Sequence, residues 1–121
     1  MKVTYEEYLQ LIANTANNEK EGCPVTKTLD IIQGKWVEHI LFFLCRNGTS
    51  RFGEIHKAHP QISKTMLSSV LKHLEATGLL VRRQYNEIPP HTEYELTDKG
   101  KDLMPVFYAM YQWGNKYLIK E

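Results

Sequence analysis

No other part of this chain leaves as few structural alternatives as the stretch from Ile62 to Gly78. Ile62, Met66, Leu67, Val70, Leu71 and Leu74 recur at the spacing of one stripe of a 3.6-residue helix. Lys64, Thr65, Ser68, Ser69, Lys72 and His73 fall on the opposite side. The spacing therefore predicts a helix about 20 Å long at about 1.5 Å per residue, with one face for a core and one face of donors and small hydroxyls. Ser63 is placed to cap its first free N–H groups, and Gly78 supplies a residue that tolerates positive φ just past its end.

Upstream, Phe52, Ile55 and Ala58 give Arg51 to His59 a shorter helical pattern, joined to the long helix by Pro60-Gln61-Ile62. Two helices linked by so short a turn form a helix-turn-helix, whose second helix can present its polar face to a DNA major groove. Downstream the pattern changes from helical to alternating. Leu79, Val81 and Tyr85 oppose Arg82 and Gln84, and Thr92, Tyr94 and Leu96 alternate with Glu93 and Glu95, with Pro89-Pro90 between the two runs. This predicts a β-hairpin with a stiffened tip. A helix-turn-helix followed directly by a hairpin is a winged helix, so the expected class is mainly α with a small β-hairpin wing.

The charge balance supports that reading only through its distribution. The formal net charge is +1, which does not by itself point to nucleic acid. Residues 1–22 carry two Lys against four Glu, whereas residues 51–83 carry six Lys/Arg against Glu54 and Glu75. Positive charge is thus concentrated where phosphate would be met. The longest unbroken apolar run, 40–45, is far short of the ~20 residues that span a bilayer. The N-terminus lacks the layout of a signal peptide, so a cytoplasmic protein without membrane contact is expected, its two cysteines as thiols.

Four further helices are expected, three of them upstream. Thr4 to Asn17 has a capping-box spacing at Thr4 and Glu7, with Tyr5, Tyr8, Leu9, Ile12 and Ala16 on one side. Such a helix docks on its own domain or on a partner subunit, and both stay open at this level. After a polar loop at 18–22, Pro24 suits a first helical position and puts Cys23 at the N-cap, with Lys27 nearby. The unpaired N–H groups at the helix start and Lys27 both favour thiolate and make Cys23 a candidate reactive thiol; the plainer reading is a small, half-buried residue at a helix start. Leu29, Ile31 and Ile32 belong to this helix, which Gly34 ends or bends. Lys35 to Arg46 is the central core helix, with Trp36, Val37, Ile40, Leu41, Phe43 and Leu44 apolar and Cys45 read as packing.

Thr97 caps a final helix from Asp98 to Ile119, inside which Pro105 marks a kink or the start of the regular part. Leu103, Val106, Phe107, Met110, Trp113 and Tyr117 form its stripe, widened by Tyr108, Tyr111 and Leu118. So much aromatic surface on a terminal helix predicts a homodimer, with Tyr8 and Ile12 joining Val106, Phe107, Met110, Trp113 and Tyr117 at the interface. The competing reading folds the helix back over its own core. Three segments follow within one domain: an arm at 1–22, a winged core at 23–97 and a dimerisation helix at 98–121.

Cys23-Pro24-Val25, Gly34-Lys35-Trp36, Arg51-Phe52, Ile62-Ser63, Met66-Leu67, Leu74-Glu75, Gly78-Leu79, Pro89-Pro90, Glu93-Tyr94, Leu96-Thr97 and Gly100 together resemble the HxlR-type bacterial transcriptional regulators, relatives of the MarR group. The resemblance runs from about Cys23 to Tyr117. It implies a homodimeric winged-helix DNA-binding regulator joined through its terminal helices, in several members of which the cysteine at the place of Cys23 senses electrophiles or oxidants. Three positions depart from the family pattern: Thr26 stands in place of an acidic residue, Gln33 of a glycine, and His91 of an arginine or lysine. Histidine carries only part of a charge near neutral pH, so anchoring by the wing is expected to be weaker and pH-sensitive here.

The expected DNA-contacting residues are Ser63, Lys64, Thr65, Ser68 and Ser69 on the reading helix, with Lys72, Arg51, Arg82 and His91 holding phosphates. Two-fold symmetry asks for an inverted repeat with half-sites about 34 Å apart, or a multiple of that. The partners are thus double-stranded DNA and a second copy, with a small-molecule or oxidant effector acting at Cys23. The alternative is a winged-helix protein-interaction module that does not touch DNA. No enzyme, cofactor or metal is indicated. His56 and His59 lack a third ligand at metal spacing and are read as a solvated face, and Ser68 or Ser69 with His73 lacks an orienting acid.

Overall fold

The structure, a computed structural model, describes residues 2–14 and 23–119. Ala16, Asn17 and the loop at 18–22 lie outside the described residues. The chain divides into two units, Met1–Gln33 and Gly34–Glu121.

The first unit contains α1 (Tyr5–Asn14) and α2 (Pro24–Ile32). Thr4 and Glu7 form the expected capping box: the Thr4 N–H donates to Glu7 Oε1 at 2.9 Å and the Glu7 N–H to Thr4 Oγ1 at 3.1 Å. These bonds hold the Glu7 carboxyl below its usual range. Tyr5, Tyr8, Leu9, Leu11 and Ile12 are all exposed. In α2, Pro24 occupies the first turn and Cys23 is the N-cap, with extended backbone at φ −60°, ψ 119°. The helix ends where the Gln33 N–H donates to the Leu29 carbonyl at 3.0 Å.

The second unit runs α3 (Val37–Asn47), β1 (Ser50–Arg51), α4 (Phe52–Ala58), α5 (Lys64–Ala76), β2 (Leu80–Tyr85), β3 (His91–Leu96), α6 (Asp98–Lys101) and α7 (Met104–Tyr117). Its sheet has strand order β1-β3-β2, antiparallel throughout. This is the mainly helical winged helix-turn-helix that the sequence predicts. The core is drawn from every layer: Ile40, Leu41 and Leu44 of α3, Ile55 of α4, Ile62 in the turn, Leu67, Leu71 and Leu74 of α5, and Leu79 and Leu80 entering the wing are all fully buried. Each such aliphatic contributes about 1.5–3 kcal/mol by leaving water.

Several expectations are corrected. β1 was not anticipated; the chain leaves α3 through Gly48 at φ 72°, and Ser50 pairs with Tyr94 on the third strand of the sheet. Met66, assigned to the core stripe, is 47% exposed. At about 100° per residue it lies roughly 90° from the mean direction of Leu67, Val70, Leu71 and Leu74, outside the buried stripe. Cys45 stands at the same angular offset from the buried row of α3 and is exposed rather than packed. Ala58 is likewise exposed. Leu80, left out of the hairpin alternation, is 1% exposed. The final helix is two helices, α6 and α7, and Pro105 marks the first turn of the second.

Candidate nucleic-acid interface

The turn between α4 and α5 is built by local hydrogen bonds. The His59 N–H donates to the His56 carbonyl at 3.0 Å, and the Ile62 N–H to the His59 carbonyl at 3.1 Å. The two imidazoles complete the turn. His56 Nε2 lies 3.1 Å from the Ile62 carbonyl and His59 Nδ1 2.7 Å from the Ile55 carbonyl, each in the role of donor. His59 is buried and meets Phe43 edge to face at 5.5 Å. The expectation of a solvated histidine face is thus corrected: both rings satisfy carbonyls that the tight turn leaves free.

Ser63 caps α5 by accepting from the Met66 N–H at 3.0 Å. Lys64, Thr65, Ser69 and Lys72 are then exposed on one side of the helix, with Ser68 half-buried among them. An open concavity of about 590 Å³ runs along this side, lined by Phe52, Lys64, Thr65, Ser68, Ser69 and Lys72. A second, of about 380 Å³, joins Ser68 and Lys72 to Glu75, Arg82, Thr92 and Tyr94. The third, about 470 Å³, is bordered by Arg51, Gly53, Glu54, Lys57, His91 and Thr92. Phe52 lines all three, so they form one surface from the reading helix to the base of the wing. Of the nine residues expected to contact DNA, only Ser63, whose hydroxyl is engaged as the cap, is not on its lining.

The surface carries five Lys/Arg, residues 51, 57, 64, 72 and 82, against Glu54 and Glu75. Glu54 is partly engaged, since its carboxylate accepts from the Arg51 N–H at 2.7 Å. Lys57, Glu75, Thr92 and the central Phe52 are members that the sequence reading did not assign to the site. Lys57 had a signal, its place in the basic 51–83 segment. The wing residues reach the surface only when the hairpin folds back beside α4 and α5.

On the wing, neighbouring arginines differ. Arg83 Nη1 is 2.6 Å from Glu95 Oε1, and the carboxylate raises the Arg83 pKa still further above neutrality. The Arg82 side chain, on the other face of β2, donates to the neutral Gln84 Oε1 at 3.3 Å and makes no ion pair among the described residues. The His91 ring is engaged, 3.1 Å from Glu93 Oε2 and stacked on Tyr85 at 4.8 Å.

Outside this surface, Cys23 is half-buried, and its pKa is lowered by the Thr26 backbone N–H and hydroxyl and by the Val25 N–H. On α7, Val106, Met110, Trp113 and Tyr117 are exposed, whereas Phe107 is buried and meets Phe42 edge to face at 5.1 Å.

The family model for an HxlR-like helix-turn-helix matches residues 31–121. The chain belongs to the HxlR-like family. It is 44% identical over 102 residues to YdeP of Bacillus subtilis, an uncharacterised HTH-type transcriptional regulator, covering 84% of this chain and 79% of that one. The reduced form of the transcriptional regulator YodB from B. subtilis superposes with TM-score 0.73 at 33% identity, covering 79% of this chain and 94% of that chain. The redox regulator HypR in its oxidised form gives TM-score 0.66 at 41% identity, with 81% and 100% covered. This HxlR-like protein is accordingly a transcriptional regulator of the helix-turn-helix type. Among its described residues no helix is long and apolar enough to cross a membrane.

Proposed function

We propose that this HxlR-like regulator binds double-stranded DNA in the cytoplasm as a homodimer on an inverted repeat, each subunit laying α5 in a major groove. The observation that carries the reading is the unbroken cationic surface joining Lys64, Thr65, Ser68, Ser69 and Lys72 to Arg51, Lys57, Arg82 and His91 through Phe52. Thr65, Ser68 and Ser69 offer short donors and acceptors for base edges, and the Lys and Arg side chains meet phosphates from both flanks. Ser63 orients the helix start, whose free N–H groups favour an adjacent phosphate.

Exposed Val106, Met110, Trp113 and Tyr117 on α7, with Tyr8 and Ile12 on α1, supply apolar surface for a second copy. The segments 1–22 and 98–121 then serve association, and 23–97 serves reading. Phe107 contributes from beneath, through its packing on Phe42.

Thiol-based control at Cys23 is the second part of the proposal. Its N-cap position and lowered pKa favour the nucleophilic thiolate, which an electrophile would alkylate or an oxidant oxidise. The relative HypR bears the description of a redox regulator. Binding to labelled genomic fragments before and after thiol modification, in wild type and Cys23→Ala, tests this: loss of binding in wild type alone is expected. Salt-insensitive or absent DNA binding would favour a protein-interaction module.

A further inference from the structure

The motifs Gly78-Leu79, Leu96-Thr97 and Gly100 have no part in the DNA surface, yet they meet at one place, the end of α5. Gly78, at φ 81°, turns the chain out of the helix, and the Leu79 N–H returns to the Leu74 carbonyl at 2.9 Å. The next carbonyls are taken by residues from beyond the wing. Thr97 Oγ1 donates to the Gly78 carbonyl at 2.6 Å and accepts from the Gly100 N–H at 3.1 Å. The Thr97 N–H donates to the Leu79 carbonyl at 3.0 Å. Gly100 packs so closely on Leu79 that a Cβ would run into its carbonyl oxygen. Lys99 Nζ donates to the carbonyl of Thr77, the C-cap of α5, at 2.7 Å, with its stem alongside Gly78.

We infer that Lys99 is a positioning residue for DNA reading: its ammonium clamps the C-terminus of α5 to α6, and so ties the start of α7 to the reading helix without touching DNA. Four features support this. A cation at a helix C-terminus is favoured by the helix dipole. Among the described residues Lys99 makes no ion pair, so its charge is directed at Thr77 alone. The clamp spans 22 positions of sequence and crosses the base of the whole wing. α6 is four residues long and leads through Asp102 and Leu103 directly into α7. A shift of α7 therefore reaches α5 through this contact. The inference rests on the proposed DNA-binding function, and deepens it by naming what fixes the reading helix relative to the terminal helix.

The test uses the full-length protein with Lys99→Met, which keeps the stem and removes the ammonium, Lys99→Arg, which keeps a donor and charge, and Lys101→Met, which removes an equal charge from exposed α6 surface. Amide hydrogen exchange is read first, in the free protein. Lys99→Met should speed exchange at Thr77, Gly78 and Leu79 by about two- to fivefold, the range of a helix-terminal charge; Lys99→Arg should restore protection and Lys101→Met should leave it unchanged. Affinity for a labelled duplex of the repeat recovered by genomic capture should fall by a similar factor in Lys99→Met only, with the salt dependence of binding unaltered. Unchanged exchange in Lys99→Met would overturn the inference. So would equal affinity loss in Lys101→Met, or a salt slope reduced by about one, which would make Lys99 a phosphate contact. Absence of DNA binding by wild type would defeat the proposed function, while the exchange data would still decide whether Lys99 holds α5.

Discussion

Arg83 and Glu95 close a 2.6 Å ion pair across the wing, while Arg82, one residue earlier, meets no carboxylate among the described residues. Adjacent residues of a strand point to opposite faces, so one arginine is neutralised on the outer face and the other faces the reading surface with its charge unpaired. Arg82→Ala is expected to lower DNA affinity and to reduce the slope of log K against log salt by about one. Arg83→Ala should leave both nearly unchanged, because the Arg83 charge is already offset by Glu95 on the face turned away from the reading surface. Titrating both variants against one duplex at several salt concentrations separates them; a larger loss from Arg83→Ala would show that the assignment of faces is wrong.

Base reading and phosphate holding should separate in the same way along α5. Ser69→Ala or Thr65→Ala is expected to change preference among related repeats by about 1–3 kcal/mol at single base pairs. Lys72→Ala should weaken binding to every sequence alike. Competition among duplexes differing at one position measures the difference, and a uniform loss in all three variants would contradict the division.

The Cys23 thiol should titrate below an ordinary thiol, because the Thr26 N–H and hydroxyl and the Val25 N–H stabilise its thiolate. Iodoacetamide should therefore modify it with a pH midpoint lower than that of unfolded chain. A depressed folded-state pKa adds stability that is fully present above the unfolded thiol pKa and is lost as pH falls through the folded value. Thr26→Val removes the hydroxyl and should move the alkylation midpoint upward. A midpoint matching that of denatured protein would mean that the capping contacts do not act on sulfur.

Gly100→Ala should destabilise the fold by about 1–3 kcal/mol, although alanine is ordinarily the better helix former, because the new methyl meets the Leu79 carbonyl and the structure must shift to admit it. Leu71→Ala, at a fully buried site of α5, should cost about 2–5 kcal/mol. Urea denaturation of the two variants tests both values. A Gly100→Ala protein as stable as wild type would show that α6 is free to move away from Leu79.

Features decided by local chemistry were legible in the residues. Ser63 caps α5, Gly78 turns at positive φ, Thr4 and Glu7 cap each other, Cys23 precedes Pro24 at a helix start, and Pro105 opens α7. Each depends on neighbours within about one helical turn. What escaped depends on tertiary pairing. β1 is two residues long, too short to alternate, and exists because Ser50 and Arg51 find Tyr94 and Glu93. His56 and His59 read as surface from their spacing but were needed by carbonyls of the turn. Met66 and Cys45 sit at the margin of their stripes, where apolar character alone does not decide burial. The expected contact residues came from a helix face, the basic 51–83 segment and, for His91, the family pattern; Thr92 joined them only through the packing of the wing beside Phe52.

On the proposed function, the surface from Lys64 to Arg82 reads an inverted repeat as part of a dimer. Capture of sheared genomic DNA by the reduced, purified protein, with sequencing of what is bound, tests it most directly. Enrichment of a small set of intergenic inverted repeats is expected, with half-sites about one helical turn or a multiple of it apart, lost in Lys72→Ala or Arg82→Ala as salt is raised. Uniform recovery of all fragments, or none at physiological salt, would contradict sequence-specific regulation by the free protein.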